Sequence, residues 1–187
     1  MAIQYNLPTY LTLLRIALIP LLTVVFYLPW HYSNLLCTLI FIAAGITDWL
    51  DGYLARKMQQ ETPFGAFLDP VADKLMVAFV LVLLVQQQAS PYLAVPAAII
   101  ICREITIASL REWMAEIGQR AKVKVSQLGK WKTTAQMVAI GMLLYRDEIL
   151  DIPINDCGYV LLYIAAILTL WSMATYLRAA LTAIAEQ

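Results

Sequence analysis

An all-α integral membrane protein, a bundle of six transmembrane helices behind a short amphipathic N-terminal segment, is the fold this sequence predicts. Three observations carry that prediction. Hydrophobic residues make up 61% of the 187 residues and charged residues only 14%, whereas a soluble domain is about a quarter charged. Mean hydropathy is +0.71. Several apolar stretches also reach the roughly 20 residues that a helix needs to cross hydrocarbon. The whole chain, 1–187, reads as a single membrane domain.

The elements follow in order. The first span runs from about Pro8 to Pro29, and Asn6-Leu7-Pro8-Thr9 before it reads as a helix start. The second extends from about Asn34 to Met58 and the third from Phe64 to Gln87. Pro91 to Ile117 forms the fourth, Gly129 to Tyr145 the fifth, and Cys157 to Ile184 the sixth. No cleaved signal peptide is expected, because MAIQYNLPTYLTLLR lacks a basic segment before its apolar run and a small-residue cleavage site. Cys37, Cys102 and Cys157 are far apart and fit neither a metal spacing nor a disulfide framework.

Formal net charge is zero, so the total points to no partner, and no nucleic-acid partner is expected. The distribution is more telling. Arg56 and Lys57 follow the second span, and Arg111, Arg120, Lys122, Lys124, Lys130 and Lys132 cluster between the fourth and fifth. The opposite connections, WHYSN, QQQAS and RDEILDIPIND, offer only Arg146. By the positive-inside rule both termini and the charged faces are cytoplasmic.

Four aspartates stand out against this apolar background. Asp48 and Asp51 end the second span, and Asp69 and Asp73 open the third. An ionised carboxylate at the bilayer centre costs roughly 2.5–3.5 kcal/mol on insertion scales, and four together repel one another. On a helix of about 100° per residue, Asp48, Asp51, Gly52, Ala55 and Arg56 share one sector, as do Gly65, Asp69 and Asp73. Gly52 and Ala55 let a neighbouring helix or ligand approach the backbone. The short link makes the two helices antiparallel neighbours, so the acidic faces can meet around one or two hard divalent cations. Oxygen donors with no His or Cys nearby favour Mg²⁺ or Mn²⁺. Arg56 adds a positive charge suited to a phosphate or nucleotide. The other reading, carboxylates paired with membrane Lys and Arg or lining an ion path, is disfavoured because Lys74 and Arg56 alone cannot neutralise four of them.

These residues carry a resemblance. DWLDGYLAR, eight residues, then GAFLDPVAD is similar to the CDP-alcohol phosphotransferase signature, D-x-x-D-G-x-x-A-R, eight residues, G-x-x-x-D-x-x-x-D. All of its fixed positions are present: Asp48, Asp51, Gly52, Ala55, Arg56, Gly65, Asp69 and Asp73. The resemblance implies a six-helix enzyme, commonly a homodimer, in a bacterial-type inner membrane. It implies displacement of CMP from a CDP-linked lipid by an alcohol that attacks the β-phosphorus. Asp48, Asp51 and Asp69 would be metal ligands, with Asp73 both contributing to the metal site and serving as general base. Gly52, Arg56 and Gly65 would line the CDP pocket.

The acceptor must be read from the fourth and fifth spans. ICREITIASLREWMAE places Arg103 and Arg111 on roughly one face, and a buried Arg103 beside Glu104 is costly without a task. GKWKTTAQ sets Lys130 and Lys132 at a helix N-terminus, where cations and free N–H groups favour an anion. An alcohol phosphate is therefore preferred to choline or ethanolamine, with Arg103, Lys132, Arg111 and Lys130 as its ligands. Arg111 and Lys130 equally fit ordinary positive-inside or lipid-headgroup roles. REITIASLR and GKWKT also resemble the branch of the family that uses CDP-diacylglycerol and glycerol 3-phosphate, although inositol-phosphate branches carry basic clusters here too. Another acceptor, such as inositol phosphate or serine, stays open as an alternative. A membrane prenyltransferase and a cation transporter are less well matched, the latter because internal repeats and interrupted helices are missing.

Overall fold

The computed structural model describes residues 7–58, 63–117, 127–148 and 151–185, and all regular structure among them is helical. Six helices follow one another: α1 Leu7–Tyr27, α2 Ser33–Met58, α3 Pro63–Gln88, α4 Pro91–Glu116, α5 Gln127–Tyr145 and α6 Ile154–Ala185. Each observed helix coincides with an expected span to within a few residues. The amphipathic lead, including Asn6, lies outside the described residues, as do Arg120, Lys122 and Lys124.

By length and composition α1, α2, α4 and α6 are long and apolar enough to cross a membrane. About a third or less of each such stretch is buried within the protein, and large apolar side chains such as Leu21, Val24, Leu39, Ile46, Val95 and Ile167 face outward. An exterior of that kind suits lipid rather than water. α3 differs in carrying Asp69, Asp73 and Lys74 in its first half, and α5 is the shortest helix at 19 residues. The chain is a multi-pass helical membrane protein.

It resolves into two compact units. Residues 1–84 and 141–155 make the first, and residues 85–140 and 156–187 the second. In the first unit the five-residue link between α1 and α2 forces them to pack antiparallel. Its turn is closed by the Ser33 N–H donating to the Trp30 carbonyl at 3.0 Å and by Leu36 N–H donating to Tyr32 at 2.9 Å. Along α1 the buried residues Thr9, Thr12, Arg15, Leu22 and Val25 recur at three or seven, the spacing of one helix face. The half of that face nearest the N-terminus is polar and the other half apolar. α2 and α3 complete the core with Cys37, Phe41, Ala44, Ala72, Met76, Val80 and Leu84. The cysteines form no disulfide; Cys37 is buried and Cys102 and Cys157 are exposed.

In the second unit α4 buries Leu93, Ala97, Ile100, Arg103, Ile107 and Met114 along one face. α6 answers with Leu162, Ala165, Ala166, Thr169, Ser172, Tyr176 and Ala180 at the same periodicity. Met114 and Ala180 pack together with Leu110 and Ile117 around them. The Tyr159 hydroxyl donates to the Gln88 carboxamide oxygen.

The turn between α3 and α4 explains how one helix stops and the next starts. Ala89 takes φ 45°, the left-handed conformation that closes many helices, and its N–H donates to the Val85 carbonyl at 2.9 Å. Ser90 then caps α4, its hydroxyl accepting from Tyr92 N–H at 3.3 Å, with Pro91 in the first turn. A Cβ in the left-handed region costs about 1–2 kcal/mol. Ala89→Gly should therefore raise the melting temperature of the detergent-solubilised protein, whereas Ser90→Ala should lower it through the loss of about 1 kcal/mol. Thermal melts of both variants beside the parent check this pair of opposite signs.

Candidate functional site

Each unit holds a cluster of buried charged side chains. In the first unit, α2 presents Asp48 and Asp51 one turn apart, and α3 brings Asp69 to them. One carboxylate oxygen from each of the three lies within 4.8 Å of the others. Asp51 is the interior member, with a side chain only 3% exposed, while Asp48 and Asp69 are 42% and 41% exposed. The cluster thus has an inner floor and an open side.

A fixed cation from α1 sits among these acids. Arg15 is 1% exposed. Its Nη1 lies 2.9 Å from Asp48 Oδ1 and 3.2 Å from Asp69 Oδ1, and its Nη2 lies 2.5 Å from Asp51 Oδ2. Thr12, one turn earlier on α1, brings its hydroxyl to 3.5 Å from the same Asp51 oxygen. One planar guanidinium therefore ties three carboxylates on two helices to a third helix, a geometry that arginine serves better than lysine.

Asp73 is not among the carboxylates that converge. It is half-buried and lies one turn further along α3, and four residues of helix advance about 6 Å. The expected ring of four acids is thus a tight group of three with Asp73 beyond it on the same face. Gly65 is half-buried one turn before Asp69. Gly52 and Arg56 continue α2 beyond Asp51, but their side chains lie outside the described residues.

The donor set fits a divalent cation. It consists only of carboxylate oxygens, from two helices, close enough together to share an ion, and two of the acids are open to the surroundings. Hard oxygen ligands of this kind suit Mg²⁺ or Mn²⁺ and offer nothing to a soft metal.

The second unit holds a basic centre. Lys132 on α5 is 2% exposed and its Nζ lies 2.6 Å from Glu104 Oε1. Arg103 on α4, 7% exposed, donates from Nη1 to the same oxygen at 2.8 Å and from Nη2 to Ser172 Oγ at 3.0 Å. The Ser172 hydroxyl in turn donates to the Thr169 carbonyl at 2.9 Å. Arg103 and Arg111 both lie over the Tyr176 ring, 5.9 and 5.8 Å from its centroid, within cation–π range. Arg111 is exposed where Arg103 is buried, because eight residues overshoot two helical turns by about 80°. Lys130 falls in the first turns of α5, with its side chain outside the described residues. Among the described residues three cations face one carboxylate, which leaves this centre positive.

Arg15, Ser172 and Tyr176 belong to these centres but lie outside the motifs, and the tie from Glu104 to Lys132 is visible only in the fold. Arg15 lies within the apolar run of α1, where a single ionisable side chain is itself a functional signal. The link between Glu104 and Lys132 spans 28 positions and has no local signature. Ser172 and Tyr176 lie on the polar stripe of α6, which only the period of small and polar residues could have suggested. His31 is exposed in the loop after α1, its ring edge-on to Tyr32.

Comparison with known proteins agrees with the aspartate motif. Residues 5–171 match the family described as CDP-alcohol phosphatidyltransferase. A protein of Haemophilus influenzae named CDP-diacylglycerol--glycerol-3-phosphate 3-phosphatidyltransferase is 56% identical over 178 residues, covering 95% of this chain and 94% of its own. Proteins of the same name from Pectobacterium atrosepticum and Sodalis glossinidius are 56% and 55% identical over 177 residues, covering 95% of this chain and 96% of theirs. The matched segment contains every fixed position of the motif, and the chain belongs to the CDP-alcohol phosphatidyltransferase family.

Proposed function

We propose that this protein transfers the phosphatidyl group of CDP-diacylglycerol to glycerol 3-phosphate, forming phosphatidylglycerophosphate and releasing CMP. The observation that carries the reading is the acidic centre of Asp48, Asp51 and Asp69 inside a complete family motif. Relatives about 55% identical over nearly their whole length bear the corresponding name, which supports the choice of acceptor. Residues 1–187 act as one catalytic domain in an inner membrane, as a homodimer, with both termini and the reacting groups on the cytoplasmic side. The excess of Lys and Arg in the connections after α2 and α4 supports that orientation.

Asp48, Asp51 and Asp69, with Asp73 contributing, hold Mg²⁺ or Mn²⁺, two ions per site. When bound, such cations supply charge neutralisation at the diphosphate. Arg56, Gly52 and Gly65 receive the CDP moiety. Arg103 and Lys132, with Arg111 and Lys130, hold the acceptor phosphate, for which planar and point-charge donors together are suited. Asp73 accepts the proton of the primary hydroxyl of glycerol 3-phosphate. The hydroxyl oxygen forms a bond to the β-phosphorus, and the bond from that phosphorus to the CMP oxygen breaks, its electron pair leaving with CMP. A carboxylate one turn beyond the metal-holding acids, on the same helix face, suits the role of general base. The acyl chains stay in the lipid throughout.

Release of CMP by the purified protein with CDP-diacylglycerol and Mg²⁺ tests the reading, with glycerol 3-phosphate, inositol phosphate and serine supplied in turn. Release with glycerol 3-phosphate alone is expected. Release with a different alcohol would keep the acidic centre and overturn the acceptor assignment. A chelator should abolish release, and added Mg²⁺ or Mn²⁺ should restore it. Asp73→Asn should cut turnover by at least roughly 100-fold with the fold intact by circular dichroism; near-parental turnover would remove Asp73 as the base. Lys132→Ala should raise the KM for glycerol 3-phosphate by roughly 10- to 100-fold, the worth of a charge-assisted hydrogen bond, with a much smaller change for the CDP-lipid. An unchanged acceptor KM would refute the phosphate-binding role.

A further inference from the structure

Arg15 takes no part in the reaction as proposed, yet it is the most buried charge of the acidic centre. Three carboxylates bring three negative charges to one place, and Arg15 returns one positive charge. Its two terminal nitrogens reach all three acids, at 2.5–3.2 Å. Its remaining donor, Nε–H, is buried without a hydrogen-bond partner among the described residues, so the acids alone hold the head group in place. It contacts one oxygen of each of the three acids that would hold a divalent cation. Mg²⁺ binds carboxylate oxygens at about 2.0–2.1 Å, well inside the reach of a guanidinium hydrogen bond. A doubly charged ion so placed also repels a neighbouring guanidinium strongly in a low-dielectric interior.

We propose that Arg15 is the resident counter-ion of the acidic centre, holding Asp48, Asp51 and Asp69 together in the metal-free protein and yielding part of those contacts when a divalent cation binds. The inference rests on the reading of these acids as a metal centre. Arg15 is then a positioning residue with two effects of opposite sign. It keeps the carboxylates from repelling one another before metal arrives, so the empty centre stays assembled. It also competes with the cation, so metal binds less tightly than three bare carboxylates would bind it.

The test uses the full-length protein in detergent, stripped with a chelator, with Mn²⁺ alone as the probe. Mn²⁺ affinity is read from the free-ion signal in electron paramagnetic resonance, and melting temperature is read with and without saturating Mn²⁺. In Arg15→Met, which keeps length and loses charge, the metal-free protein should melt below the parent. Mn²⁺ should raise its melting temperature by more than it raises the parent's, and should bind roughly tenfold or more tightly. Arg15→Lys, which keeps the charge but loses the fork, should fall between the two and carries the comparison if Arg15→Met does not fold. Equal Mn²⁺-induced shifts and equal affinities would overturn the proposal and leave Arg15 a purely structural ion pair. Weaker Mn²⁺ binding in the variants would overturn it as well. If the parent itself binds no Mn²⁺, the metal reading fails first and the counter-ion role fails with it.

Discussion

Charge placed in an apolar, lipid-facing chain must meet its opposite, and the architecture of both units follows from that constraint. Desolvating an ion costs several kcal/mol unless partners and hydrogen bonds replace its water. In the first unit Arg15 meets Asp48, Asp51 and Asp69; in the second Glu104 meets Arg103 and Lys132. Each cluster draws on more than one helix. The helices that supply the charges are thereby fixed in rotation about their own axes, since turning one by a single residue would point a charge into lipid. Apolar packing, which is much the same against another helix as against an acyl chain, cannot set that register alone.

The two clusters are opposite in design. Among the described residues, the acidic one has excess negative charge, with a basic side chain as its minority partner. The basic one has excess positive charge, with an acid as its minority partner. In each case a single charged group serves several of the other sign: one guanidinium for three carboxylates, one carboxylate oxygen for an ammonium and a guanidinium. The minority group holds the others at close range while leaving the cluster with net charge for a ligand. Removing that group would leave like charges facing one another, a fault costlier than the loss of one contact.

Much of this was legible before the structure was seen. Apolar run length located all six helices, because hydropathy over 20 residues is a property of the local chain. The i, i+3 and i, i+4 spacings of Asp48, Asp51, Asp69 and Asp73 placed each pair on one face, and the short link brought the faces together. Arg103 and Lys132 were recognisable as costly charges. What local patterns could not supply was cross-helix pairing. Arg15 is separated from its partners Asp48, Asp51 and Asp69 by 33, 36 and 54 positions, and nothing in the neighbourhood of Leu14 or Ile16 announces an acid opposite. The convergence of three acids rather than four has a similar origin. Periodicity gives the face on which Asp73 lies, while its distance from the others depends on how far α3 is displaced along its axis against α2.

The length of α2 carries a consequence for depth. Its 26 residues extend about 39 Å at 1.5 Å per residue, against a hydrocarbon core of about 30 Å. Asp48 and Asp51 come roughly 22 and 27 Å along that axis from Ser33. If the apolar beginning of α2 sits at one edge of the hydrocarbon, the acids reach the opposite boundary layer, where glycerol backbones give way to headgroups. On that placement the acidic centre would be level with the part of a diacyl lipid at which fatty tails end and phosphate begins. A lipid diffusing in the plane of the bilayer could present its phosphorus to such a centre without leaving its leaflet, and a water-soluble reactant could meet it there without entering the oil.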